Sequence, residues 1–363
     1  MEWNVTYKAF FALLRAGLWN REPDDGCFPL SPEVWEQVYR LAHQQTVQGI
    51  VYDGIMHLPD NYFPSRDLLL KWVVSVNAIE DRNKRMNRDA GELYSFFSKN
   101  QIEVFLVKGQ GLASCYDNPL HRVCGDMDWV FPDKEHFNRA NRLIKERGIK
   151  VETQPGFDTC YTWRGFLIEH HRRMLDINNP FSYSYLNRIQ QKEYSHSIYL
   201  EVNGQKIPTP SPLLTYLSVN THIMRHLLAF GINVRQLCDS ARICYAYQDR
   251  TEGKVMKEIY NKLGIYNWIQ RLNQLSVTYL GMPEEYLPFP LAPQQNADEM
   301  MMDFLHGVDY GFYINARSGR LKRKSVFLDL LVRFARYVRY VPGEACWFPI
   351  IHGYSHIKNW FDR

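Results

Sequence analysis

Residues 103–131 read EVFLVKGQGLASCYDNPLHRVCGDMDWVF, and the reading of this stretch decides the fold. An apolar run over 104–107 stops at Lys108-Gly109. Gly111, Arg122 and Gly125 follow, and Asp126-Met127-Asp128 leads into a second apolar run over 129–131. Short apolar runs bounded by glycine predict buried strands. A strand alternates its side chains, so Asp126 and Asp128, at i and i+2, share one face. Two like charges on one face repel and destabilise the sheet unless a cation compensates them. A hard, oxygen-lined pair of this kind suits Mg²⁺ delivered with a phosphate substrate.

The order of an apolar run, Lys-Gly, a short helix, an Arg and then Asp-x-Asp on the next strand resembles the active-site core of the nucleotidyltransferase superfamily with the DNA polymerase β-type fold. More narrowly, LVKGQGLASCYDNPLHRVCGDMDWVF resembles the uncharacterised nucleotidyltransferase family, in which Lys-Gly stands where Gly-Ser or Gly-Gly is usual. The resemblance implies an α+β fold, with a small mixed β-sheet nucleotidyltransferase core flanked by N-terminal and C-terminal helical regions. It implies metal-dependent transfer of an NMP from an NTP such as ATP to an acceptor hydroxyl, with release of pyrophosphate. Asp126 and Asp128 would then be catalytic metal ligands for a pair of Mg²⁺ ions.

Such a site needs a third carboxylate on a neighbouring strand. The run Phe166-Leu167-Ile168-Glu169-His170-His171 offers one, and an apolar run leading to Glu and then His resembles the family's later strand. Glu169 is the candidate third ligand or general base. His171, at i+2, shares its face and could orient it or touch phosphate, whereas His170 points the other way. Lys108 and Gly109, at a strand-to-helix turn, place a cation and backbone N–H groups near an anion. Arg122 is the candidate phosphate clamp.

Composition sets the bounds. With 363 residues and 45% hydrophobic content the chain can bury a large core. A net charge of +4 is slight for this length, so nucleic acid is not expected as an obligate partner. Seven scattered cysteines with no CxxC pair favour free thiols and a cytoplasmic setting over a disulfide framework. No apolar run approaches the roughly 20 residues of a membrane span, and the N-terminal stretch lacks the long uncharged run of a signal peptide.

Outward from the core, three regions are expected: an N-terminal helical region over 1–100, the α/β core over 101–208 and a C-terminal helical region over 209–363. Apolar residues at helical spacing predict helices over 5–20, 31–45 and 66–99, the second opened by Ser31-Pro32. A helix closed by Gly148 follows the Asp-x-Asp strand, then a strand over 149–153. Hairpins are expected around Arg164-Gly165 and Asn203-Gly204. Residues 177–199 resist assignment. Helical periodicity then returns through 211–305.

Other features carry chemistry less directly. His222 and His226 lie at i and i+4 without the Glu of HExxH, so a packed histidine pair is expected rather than a zinc site. Arg235 and Asp239 resemble the family's Arg-x-x-x-Asp element and also fit a helix ion pair. The basic tract at Arg317, Arg320, Lys322, Arg323 and Lys324 reads as a solvated face. The partners expected are a nucleoside triphosphate and an acceptor that is a small molecule or a protein. Rival functions are a non-catalytic nucleotide-binding regulatory module of the same fold and an RNA 3′-end modifying enzyme. Salt-sensitive RNA binding would mark the latter.

Overall fold

The structure, a computed structural model, describes residues 3–153, 158–175, 177–229, 231–293, 297–306, 334–335 and 337–361. The basic tract at 317–324 lies outside the described residues. The N-terminal region is four helices: α1 (Val5–Trp19), α2 (Pro32–Gln44), α3 (Gln48–Ile55) and the 34-residue α4 (Arg66–Lys99). Ser31 and Ser65 cap α2 and α4 by accepting from the backbone N–H of Val34 and Leu68.

The core begins with β1 (Phe105–Val107), the one-turn α5 (Gly109–Ala113) and β2 (Asp126–Val130). Helix α6 (Lys134–Glu146), capped by Asp133, leads through β3 (Glu152–Thr153) to β4 (Thr159–Trp163) and β5 (Phe166–His171). The five strands form one mixed sheet in the order β1-β2-β5-β4-β3. Strand β2 runs antiparallel to β1 and parallel to β5, and β4 and β5 make an antiparallel hairpin. Its turn residues, Arg164 (φ 48°) and Gly165 (φ 88°), both have positive φ, as a type I′ turn requires. The expected strand over 149–153 survives only as two residues, both exposed, at the sheet edge.

The stretch over 177–199 contains α7 (Tyr183–Tyr194), whose polar and aromatic residues hide the helical period because only Leu186 and Gln190 are buried. A separate two-stranded sheet follows, β6 (Ile198–Val202) and β7 (Gln205–Thr209), joined at Asn203-Gly204. It is tied to α4 by Ser95, whose hydroxyl donates to Gln205 Oε1 at 2.9 Å. Among the described residues, the C-terminal region forms α8 (Pro212–Ala229), α9 (Val234–Ala246), α10 (Gly253–Lys262), α11 (Tyr266–Leu280), α12 (Asp298–His306) and α13 (Pro342–Phe361). No described helix is long and apolar enough to cross a membrane.

Two apolar cores hold these parts. The larger joins the flanking helical regions, with Phe10 and Leu14 of α1 in the same cluster as Trp268 and Leu272 of α11. The smaller packs the buried face of the sheet, through Met127, Trp129 and Ile168, against Leu93 and Phe97 of α4. The opposite face of β2 and β5 carries the charged residues.

Candidate active site

Met127 and Trp129 are fully buried, so the alternation of β2 turns Asp126 and Asp128 to the other face. The parallel register sets Asp128 directly opposite Glu169 on β5. His171, two residues on, shares that face. His170, on the reverse face, is fully buried between Tyr161 and Asn141, and burial drives its imidazole down to about 3. Carboxylate and imidazole atoms of Asp128, Glu169 and His171 lie within 4.8 Å of one another. Asp126 stands beside this set, outside the 4.8 Å group.

The electrostatics follow from crowding. The charge of Asp128, then burial, pushes the Asp126 carboxyl up. Burial, then the same charge, raises Glu169. Burial opposes the charge of Asp128 as well, but the nearby Lys108 ammonium and the hydrogen bond from His171 outweigh it and hold that carboxyl well below the usual range. The neighbouring carboxylates therefore repel one another, a condition that a bound cation relieves. Two carboxylates and an imidazole are also a donor set that divalent cations accept.

His171 is held at both ring nitrogens. Its Nε2 lies 2.7 Å from Asp128 Oδ1 and 3.5 Å from Glu169 Oε2, and its Nδ1 lies 3.0 Å from Asp158 Oδ2. Burial and the Lys108 charge lower the imidazole, but the bonds to Asp128 and Asp158 prevail and raise it to about 10.

The Lys108-Gly109 turn closes the site. Lys108 caps α5 at φ 49°, a region that non-glycine residues rarely occupy, and its Nζ reaches to 3.5 Å from Asp128 Oδ1. Gly109 follows at φ 32°, and a Cβ there would come within 2.9 Å of the Asp126 carbonyl oxygen, so the turn packs on the start of β2 only as glycine.

Arg122 has a different setting from the one its loop position suggests. It is 3% exposed and makes a paired contact with Asp239 of α9, Nε to Oδ1 and Nη2 to Oδ2, each at 2.7 Å. Its Nη1 donates to the Gly109 carbonyl at 3.1 Å, so the guanidinium ties the turn to α9. The expected Arg235–Asp239 helix pair is therefore not the bond that forms. Arg235 donates to the Val123 carbonyl at 2.7 Å, and its charge acts on Asp126. Ring centroids of His222 and His226 are 4.2 Å apart, and the His222 charge acts on Asp128.

Sequence reading missed the groups on α4 that hold the loop before β2. Arg82 donates to the carbonyls of Cys124 (3.3 Å) and Gly125 (2.9 Å), and Asn83 to those of Leu120 (2.7 Å) and Arg122 (2.8 Å). The one local signal was polar Asn83 on the apolar face of a long helix, where it is 1% exposed.

Comparison with known proteins bears on this arrangement. The family described as "Uncharacterised nucleotidyltransferase" matches residues 31–279, from the start of α2 to the end of α11. No curated protein matches the chain. A solved structure, that of an antigenic nucleotidyltransferase-like protein from Paracoccidioides brasiliensis, aligns at 16% identity over 54% of this chain and 92% of its own, with a TM-score of 0.34. With well over half of its length matched by the family, the chain belongs to the uncharacterised nucleotidyltransferases.

Proposed function

We propose that the protein transfers a nucleoside monophosphate from an NTP to an acceptor hydroxyl, releasing pyrophosphate. The observation that supports this reading best is the pairing of Asp128 with Glu169 across adjacent strands, with Asp126 on the same face. A divalent cation, Mg²⁺ in this reading, held by Asp126, Asp128 and Glu169 supplies the positive charge that phosphoryl transfer demands. Glu169, made more basic by burial and by the charge of Asp128, is suited to take a proton from the acceptor hydroxyl. Lys108, now turned to Asp128, meets the phosphates as a point charge, and the Gly109 turn brings backbone N–H groups to them. Backbone strain of roughly 1–3 kcal/mol at a lysine with positive φ is the kind that persists at functional sites. Arg122 acts from behind the turn, by holding Gly109 in place.

Incubation with each α-labelled NTP, divalent metal and a cell extract tests the reading. Wild type should label an acceptor, and Asp126→Asn with Asp128→Asn should lower the rate by at least about 10²–10³-fold. Equal labelling by the two proteins would remove the catalytic role. NTP binding without label transfer under any condition would favour a regulatory module instead.

A further inference from the structure

We propose that His171 is itself a metal ligand, aimed by Asp158, and that its nitrogen biases the site toward first-row transition cations over Mg²⁺. The proposal rests on the reading above and concerns which cation the site selects.

Asp158 immediately precedes β4, and continuing the β4–β5 register places it opposite His171. Its two oxygens are both used. Oδ2 meets His171 Nδ1 at 3.0 Å, and Oδ1 accepts the backbone N–H of Arg172 at 3.0 Å. Ring orientation is thereby fixed from both sides, with Nε2 directed at Asp128 and Glu169. A carboxylate on one ring nitrogen with the other facing carboxylate oxygens is the arrangement in which histidine ligates metals. The cation takes the place of the Nε2 proton now shared with Asp128, which is released to solvent, and the ring coordinates in its neutral form with its remaining proton on Nδ1 donated to Asp158. Mg²⁺ takes oxygen ligands almost exclusively, whereas imidazole suits transition ions. Asp158 is thus a positioning residue. Within the sequence it follows a Pro-Gly-Phe segment and belongs to no recognisable motif, so only the fold brings it here.

Calorimetric titration of the full-length protein with MnCl₂ and with MgCl₂, combined with electron spin-echo spectroscopy of the Mn²⁺-loaded protein, tests the proposal. Wild type should bind Mn²⁺ more tightly than Mg²⁺ and show ¹⁴N modulation from a directly bound imidazole. His171→Ala should weaken Mn²⁺ binding about 10–100-fold, weaken Mg²⁺ binding far less and abolish the modulation; Asp158→Asn should shift the Mn²⁺/Mg²⁺ ratio in the same direction. A purely structural role would weaken both metals alike and leave their ratio unchanged, which would overturn the proposal. Absence of ¹⁴N modulation in wild type would overturn it without reliance on any variant. Loss of Mn²⁺ binding in Asp128→Ala but not in His171→Ala would reject the histidine ligand and leave the catalytic reading standing. Unchanged binding in both variants would reject the two together.

Discussion

At the scale of single residues, the buried Arg122–Asp239 pair shows how much a small polar contact decides. Both side chains are at most 4% exposed, and the Tyr116 hydroxyl also donates to Asp239 at 2.7 Å. Removing one partner strands a charge in the interior, whereas replacing both with apolar residues need not. Asp239→Ala should therefore lower stability by about 3–5 kcal/mol in urea titration, and Arg122→Met with Asp239→Leu should recover a large part of that loss. A second residue-scale test concerns His121, 6% exposed, whose Nδ1 lies 2.6 Å from Asp53 of α3 and whose Nε2 lies 3.0 Å from Glu80 of α4. Burial lowers this imidazole, but the hydrogen bonds and charges of Asp53 and Glu80 outweigh burial and raise it. A raised folded value stabilises the fold fully below the unfolded value of about 6.5 and ceases to do so as pH rises through the folded value. Stability measured across that window should fall with rising pH, and His121→Gln should flatten the slope. A slope of opposite sign would show that the imidazole is neutral in the fold.

At the scale of elements, helix crossings depend on absent side chains. A Cβ on Gly17 of α1 would lie 1.9 Å from the Ile50 carbonyl oxygen of α3, and one on Gly54 would lie 1.9 Å from that of Leu13. The two backbones touch, so Gly54→Ala should cost roughly 2–3 kcal/mol or more by forcing α1 and α3 apart. Thermal unfolding checks this, and an unchanged midpoint would mean that the helices do not meet there. Helix α3 bears in turn on the segment before β2, since a Cβ on Gly49 would come within 2.2 Å of the His121 carbonyl oxygen. None of this was visible in sequence, where a lone glycine in a helical pattern reads only as a weak helix former. Elements with strong local signals were legible: Ser31-Pro32 opened α2, apolar residues at helical spacing marked α4, Asn-Gly marked the β6–β7 turn, and the Asp-x-Asp segment proved to be a strand. Helix α7 was not, because few of its residues face a core.

At the scale of the whole molecule, the long-range pairings were beyond local reading. The i+2 spacing placed Asp126 with Asp128, and Glu169 with His171, each pair on one face. Only the β2–β5 register sets Asp128 against Glu169, and nothing near Asp158 or Arg235 in sequence announces their neighbours across the fold. An i, i+4 Arg–Asp spacing looks the same whether the two pair with each other or, as here, with different elements. The same dependence predicts that Gly109→Ala will impair nucleotide transfer more than stability, because the displaced atoms are the turn and the Asp126 carbonyl rather than the core. Comparison of labelling rate with unfolding midpoint for that variant checks this; a parallel fall in both would place the turn in the general scaffold.

The most direct measurement is a crystal structure of the protein grown with Mn²⁺ and a non-hydrolysable NTP, located by anomalous scattering. Density for the ion is expected within bonding distance of Asp128 and Glu169, with the triphosphate beside Lys108. An ion and nucleotide seated elsewhere, with Asp128 still paired to Lys108 and His171, would contradict the assignment of this face of the sheet as the catalytic centre.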